Sequence, residues 1–256
     1  MRTTTALASG PGFAITAVTC RDSHVCWSDP AEVPSVYRLV LVRRGRFRRR
    51  TRAGPVDVDP TFAYLGVPDE EEHFAHPAGG DVCTAIALSA GLWESLRLGA
   101  RSTVYVDSLV DLAHRRLLVA ARSGDHSYLL AERLVGLLGG ACGGAVVSSP
   151  GDQALVGRAR AAVHDDDPGG LLPLAALLGV SPYRLSRVFS REVGVSLTRY
   201  RNRVRVGKAL DRIEQGEVGL TALAASLGFA DQAHLTRTVR SLTGETPSGL
   251  RRLLVR

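Results

Sequence analysis

The sequence predicts an α+β fold in two parts, an antiparallel β-barrel or sandwich followed by an all-α domain. Three observations predict it. Between Gly12 and Ser89, short β-rich runs broken by Gly, Pro and Asp recur roughly every ten residues with no helical segment between them. Beyond Ser89 the apolar pattern changes to the i, i+3, i+4 rhythm of helices. In the C-terminal half, one arrangement of two helices around a glycine occurs twice. The length of 256 residues fits two medium domains, and 45% hydrophobic against 22% charged residues supplies the apolar material for buried cores.

The predicted strands are Phe13 to Thr19, Val36 to Val42, Arg46 to Arg50, Val56 to Val58, Thr61 to Leu65 and Val82 to Leu88. Two helices follow. In Val106 to Ala121, Leu109, Leu112, Ala113, Leu117 and Ala120 form one stripe, and Leu129 to Leu138 supplies the returning helix of a hairpin. The glycine-rich stretch 139–144 and Ser148-Ser-Pro-Gly151 predict a linker. A helix then buries Leu155, Val156, Ala159 and Val163 and stops at Asp165 to Gly170. The expected division is 1–103 (barrel), 104–142 (helical hairpin), 143–152 (linker) and 153–256 (helical domain).

The start, MRTTTALASGPGFAITAV, has no charged segment followed by a long apolar core, so export is not expected. No apolar stretch approaches the ~20 residues of a spanning helix. The four cysteines, Cys20, Cys26, Cys83 and Cys142, include no CxxC pair and suit free thiols in a reducing cytoplasm.

Lys and Arg number 32 against 25 Asp and Glu, a formal net charge of +7. The surplus is uneven. Residues 1–150 hold 16 Arg and 15 acids, net +1, whereas residues 151–256 hold 16 basic and 10 acidic residues, net +6. Nearly all the cations are arginine, whose planar fork bonds phosphate or guanine bidentately. The run Arg43 to Arg52 has the composition of a nucleic-acid patch. Its place in the β-rich region, close to Asp57, Asp59 and Asp69 to Glu72, instead predicts a strand face balanced within the sheet.

The repeat pairs LAALLGVSPYRLSRVF, from Leu174, with LAASLGFADQAHLTRTV, from Leu223. Aligning Gly179 with Gly228 places Leu174 on Leu223, Ala175 on Ala224 and Leu178 on Leu227. With one residue inserted, Leu185 falls on Leu235 and Arg187 on Arg237. A short helix, a tight turn at glycine, a second helix and a small Ala at the close approach make the sequence form of a helix-turn-helix, expected at about 171–192 and 220–242. An ordinary helical hairpin does not require a cationic outer face, yet both second helices have one. Tyr183, Arg184, Ser186, Arg187, Ser190 and Arg191 face away from Leu185, Val188 and Phe189. Gln232, His234, Thr236, Arg237 and Arg240 face away from Leu235 and Val239. Between the repeats, Leu197 to Ile213 predicts a long helix with Tyr200, Val204, Ala209, Leu210 and Ile213 buried. Arg199, Arg201, Arg203 and Arg205 would lie around it, at phosphates or in solvent.

Residues 153 to 254 resemble the DNA-binding domain of the AraC/XylS transcriptional regulators, through 174 to 200, 223 to 252 and the specific ending Gly244-Glu-Thr-Pro247. Leu197, Leu235, Val239 and Leu250 depart from the family, which usually has aromatic residues at these core positions. The resemblance implies that Tyr183, Arg184, Ser186 and Arg187, and Gln232, Ala233, Thr236 and Arg237, approach base edges. Ser190, Arg191 and Arg240 would meet phosphate, which positions a protein without specifying sequence.

The resemblance also implies a cupin-like β-barrel in the N-terminal half, which binds an effector or dimerises, with residues 104 to 142 as a dimer surface. No His-x-His pair with a following Glu occurs on one strand, which argues against a metal-dependent cupin. Trp27, Tyr37, Tyr64, His73 and His76 are the candidates for lining an effector pocket. Cys20, His24 and Cys26, with His73, His76 and Cys83, are the alternative candidates for a soft metal site or thiol sensor. The assignment is no metal and no cofactor. No Gly-x-Ser-x-Gly elbow or phosphate loop points to catalysis. A cytoplasmic, dimeric, non-enzymatic transcription regulator is expected, whose partners are duplex DNA, a small effector and, for an activator, RNA polymerase, with no membrane. The alternative is a cupin-type metal-dependent enzyme with a helical appendage.

Overall fold

The computed structural model describes residues 2–95, 102–123, 130, 133–134, 136–138, 150–165 and 170–255. Two compact units divide the chain, one within residues 1–143 and the other within 144–256.

In the first unit, strands β1 (Arg2–Gly10), β2 (Phe13–Cys20), β3 (Tyr37–Arg44), β4 (Phe47–Thr51), β5 (Gly54–Val58), β6 (Phe62–Gly66), β7 (His73–Ala75), β8 (Asp81–Leu88) and β9 (Thr103–Tyr105) form two antiparallel sheets. The larger runs β1-β2-β8-β3-β6-β9 and the smaller β5-β4-β7. Successive residues of a strand point to opposite faces, so β3 sends Leu39 and Leu41 one way and Val40 and Val42 the other. Val40 and Val42 join Tyr64 and Cys83 against Phe47, Val58 and Phe74 of the smaller sheet, a thin core between the sheets. Leu39 and Leu41 join Ile15, Leu65, Ile86 and Leu88 on the opposite face, where helices cover them. This explains why β3 reads as an unbroken apolar run rather than an alternating one.

Helix α1 spans Ala90–Ser95 and α2 spans Ser108–Ser123. Residues 130, 133–134 and 136–138 are also helical, and the buried Leu130, Leu134, Leu137 and Leu138 join Leu117, Ala120 and Ala121 of α2 on the sheet. The described leucines of this segment and the apolar stripe of α2 therefore share one core with the sheet. Leu109, expected in the buried stripe, is 58% exposed.

Four elements escape the sequence pattern. β1 is nearly all exposed along Arg2 to Leu7, so no alternation marks it. β7 and β9 are three residues each, too short to show a period, and α1 is little longer. The boundary expected at 103/104 falls inside β9, whose pairing with β6 keeps Thr103 to Tyr105 in the sheet. At the second boundary, helix begins at Pro150, inside the expected linker. The remainder of that linker lies outside the described residues.

Internal pairing absorbs much of the Arg43 to Arg52 run. Arg49, 1% exposed, bonds Glu70 at 2.9 Å and Glu72 at 2.8 Å and stacks over Tyr64. Arg48 lies 3.7 Å from Asp57, and Arg43 lies 3.7 Å from Asp111. Arg48 and Arg50 lie over the Trp27 ring.

The second unit contains α3 (Pro150–His164), α4 (Leu171–Leu177), α5 (Pro182–Val193), α6 (Leu197–Glu214), α7 (Leu220–Ser226), α8 (Gln232–Thr243) and α9 (Pro247–Leu254). Leu155, Val156, Ala159 and Val163 are buried, as are Tyr200, Val204, Ala209, Leu210 and Ile213. Leu197, Leu235, Val239 and Leu250 are buried too, so these aliphatic replacements stay within the core.

Candidate nucleic-acid interface

The two helix pairs, α4–α5 and α7–α8, are built by the same local chemistry. The first helix of each pair ends on a positive-φ glycine, Gly179 at +67° and Gly228 at +70°. At this position a side chain on Cβ would crowd the following carbonyl. Each glycine closes the same pair of bonds. Gly179 N–H donates to Ala176 O and Val180 N–H to Ala175 O; Gly228 N–H donates to Ala225 O and Phe229 N–H to Ala224 O. This double closure satisfies the last helical carbonyls and turns the chain sharply. Ala175 and Ala224 are each 1% exposed, with Leu174 and Leu223 fully buried beside them.

The second helices start and stop alike. Ser181 Oγ accepts from Arg184 N–H at 3.2 Å, and Asp231 Oδ1 accepts from His234 N–H at 2.6 Å. Such a cap contributes about 1 kcal/mol. Gly194 and Gly244 end α5 and α8 in the left-handed region. Ser196 and Thr246 then cap α6 and α9. The repeat thus extends past the helix-turn-helix on both copies, with its one inserted residue between Gly228 and Asp231. Helix α6 packs against α3 and α5 and also against α8 and α9, so one rigid element supports both pairs.

On α5, Leu185, Val188, Phe189 and Val193 are buried, while Tyr183, Arg184, Arg187 and Arg191 are exposed and Ser186 and Ser190 half-buried. On α8, Leu235 and Val239 are buried, Gln232, Ala233, Arg237 and Arg240 exposed, and His234 and Thr236 half-buried. Each second helix therefore presents one cationic, hydrogen-bonding face of the kind that reads a DNA groove. Among the described residues, Arg187, Arg237 and Arg240 form no ion pair.

Several contacts have no signal in the sequence pattern. Arg191 bonds Asp152 of α3 at 2.5 Å and Glu192 at 2.7 Å, and Arg184 lies 3.8 Å from Asp152. Asp152 thus holds the α5 cations next to α3. Thr221 Oγ1 donates to Gln232 Oε1 at 2.9 Å and leaves the Gln232 amide N–H groups as donors. His234 is tied inward, accepting from Ala230 N–H at 3.3 Å with its ring edge-on to Phe229. The reading of the α6 arginines needs correction. Arg203 is 2% exposed and reaches neither solvent nor phosphate, and Arg205 lies over the Phe229 ring.

The helix-turn-helix domain model matches residues 174–253, both helix pairs and the helix between them. Residues 174–253 form an AraC/XylS-type helix-turn-helix domain. The HTH-type transcriptional regulator GlxA of Rhizobium meliloti (strain 1021) is 30% identical over 79 residues, 31% of this chain and 24% of the relative. The arabinose operon regulatory protein of Escherichia coli (strain K12) is 29% identical over 72 residues, 28% of this chain and 25% of the relative. The match spans about a quarter of the length of either relative. A solved structure of ToxT from Vibrio cholerae covers 96% of this chain and all of that one at 10% identity and a TM-score of 0.39. The four base-reading candidates of each pair all lie on the second helices of the AraC/XylS-type domain, outside its buried face.

The five pocket candidates of the N-terminal unit do not share one cavity wall. Tyr64 lies in the core between the sheets, and His76 contacts Phe47 there. Tyr37 stacks on Trp93, a core residue of the helix-covered face. Trp27 lies beneath Arg48 and Arg50, and His73 bonds Ser28 O at 2.8 Å. Of the soft donors, Cys20 and His76 come together with Asp81, which the sequence pattern did not single out, whereas Cys26 is exposed.

Proposed function

We propose that this protein regulates transcription by binding specific duplex DNA through α5 and α8. The observation that carries this reading is the duplicated helix pair, in which matching caps and turns leave an exposed cationic face on each second helix. Tyr183, Arg184, Ser186 and Arg187 read one stretch of major groove, and Gln232, Ala233, Thr236 and Arg237 read another. Ser190, Arg191 and Arg240 meet phosphates, Arg191 by exchanging Asp152 for the backbone. Bridged by α6, the two heads read segments one helical turn apart, ~34 Å.

In this reading the N-terminal unit, with residues 104 to 142, pairs two copies of the chain and senses a small effector at the interior lined by Tyr64. Because the hairpin leucines are spent on the sheet, pairing uses the opposite hairpin face, where Leu109 is exposed. The protein works on cytoplasmic DNA, contacts RNA polymerase where it activates, and is not an enzyme. Among the described residues no helix is long and apolar enough to cross a membrane. The test is duplex binding by the full chain over a range of salt. Affinity falling steeply with salt, together with a preference for particular sequences, is expected. Metal-dependent turnover without salt-sensitive duplex binding would favour the cupin-type enzyme instead.

A further inference from the structure

At one end of the space between the two sheets, three buried donors from separate elements converge. Cys20 closes β2, His76 follows β7, and Asp81 opens β8. Sγ of Cys20, a ring nitrogen of His76 and a carboxylate oxygen of Asp81 all lie within 4.8 Å of one another. The backbone brings them together. Cys20 and Asp81 are direct partners across β2 and β8, and His76 pairs with His24 through two backbone bonds. Gly80 allows the approach, since a Cβ there would stand 2.3 Å from Cys20 O.

Hydrogen-bond accounting at this cluster leaves a gap. His24 Nδ1 lies 2.8 Å from Cys26 O, an atom that only accepts, so Nδ1 carries the proton and Nε2 of neutral His24 accepts. His76 Nδ1, 3.1 Å from that Nε2, must donate to it. His76 Nε2 in turn faces Asp81 Oδ1 at 2.9 Å. Asp81 is 5% exposed, and its Oδ1 has no hydrogen-bond donor. Cys83 Sγ–H donates to the other carboxylate oxygen at 2.8 Å. The buried Asp81 oxygen and the ring nitrogen beside it can be bridged by a proton or by a metal ion. A proton serves only those two. A metal also uses the third donor, the Cys20 sulfur.

We propose that Cys20, His76 and Asp81 bind a thiophilic divalent cation of the zinc type, with His24 as the positioning residue that fixes the His76 ring. Cysteine, histidine and aspartate are all zinc ligands, and tetrahedral bond lengths of ~2.0–2.3 Å place ligand atoms roughly 3.3–3.7 Å apart, so the ion would widen the 2.9 Å His76–Asp81 separation by about 0.4 Å within a cluster whose donors already lie within 4.8 Å. His24 supplies the outer hydrogen bond that a ligating imidazole makes through its second nitrogen. On binding, Cys20 releases its thiol proton to solvent and the sulfur–metal bond forms in its place, with no change of oxidation state. The ion would pin the His76 segment to the larger sheet and close that end of the sandwich.

The test uses the full chain carrying Cys26→Ser and Cys142→Ser, stripped with chelator and titrated with cobalt(II) and zinc(II) chloride. One equivalent of cobalt per chain, with a thiolate-to-cobalt charge-transfer band that zinc abolishes, is expected, together with a rise in Tm. Cys20→Ser should lose the band, and His76→Gln and Asp81→Asn should bind far more weakly while circular dichroism in chelator remains that of the parent. His24→Ala should keep the band and lose affinity about 10–100-fold. No one-to-one binding by the parent, or a band unchanged in Cys20→Ser, overturns the proposal. The parent's own spectrum decides the matter if a variant fails to fold.

Discussion

Two regions of this molecule are rich in arginine and put it to opposite uses. In β3 and β4, Arg49 is buried between Glu70 and Glu72 and against Tyr64, and Arg48 has Asp57 within reach. On α5 and α8, Arg187, Arg237 and Arg240 are exposed and form no ion pair among the described residues. The same side chain is a structural cross-link where carboxylates stand within ~4 Å and an available polyanion ligand where they do not. Density of arginine along the sequence therefore points to the sheet unit, while net charge per unit points to the helix-turn-helix domain.

The sharpest way to break this comparison is Arg49→Ala. Removing the cation leaves buried Glu72 with Arg38 as its remaining ion-pair partner, so the loss should approach, without exceeding, the about 3–5 kcal/mol of a fully broken buried pair. Denaturant unfolding should show that loss, with DNA affinity per folded molecule unchanged. Arg187→Ala and Arg237→Ala should behave inversely, each losing about 1–3 kcal/mol of binding and relaxing one base position, with stability held within about 0.5 kcal/mol. Titration against point-mutated duplexes checks it; equal losses on specific and random DNA would contradict base reading.

The first unit also holds a buried pH-dependent element. Burial, then the nearby Arg43 guanidinium, pushes the His114 imidazole down to about 3. The unfolded chain binds this proton below about pH 6.5 and the folded chain does not, so the contribution is present above that pH and falls as acid is added. Relative to His114→Asn, the parent should lose about 1 kcal/mol of stability per pH unit through that window, measured by denaturant midpoints. The smallest effects separate exposed cations of the two regions. Arg240→Ala should lower the salt slope of binding by about one, whereas Arg48→Ala should leave the slope alone and cost under about 1 kcal/mol of stability.

The helical unit was largely legible because its signals are local. A glycine, a capping Ser or Asp and an i, i+3, i+4 stripe all lie within one turn of what they determine, and the duplication repeats each of them. The sheet unit was legible only where strands alternate or run apolar. β1 carries no pattern because Arg2 to Ala6 are all exposed, and β9 is too short to show one. What depends on tertiary contact was invisible: Asp152 reaching Arg191, Arg203 turning inward, and Asp81 meeting Cys20 and His76 across strands. Single residues distant along the chain leave no periodic trace. For the same reason, aromatic and imidazole character alone gathered five pocket candidates that the fold distributes over several faces.

Selection of bound sequences from a pool of randomised duplexes, carried out with the full chain, tests the central claim most directly. The account predicts two enriched clusters about one helical turn apart, one lost from the selection made with Arg187→Ala and the other from that made with Arg237→Ala. A single cluster, or no enrichment above the starting pool, would contradict it.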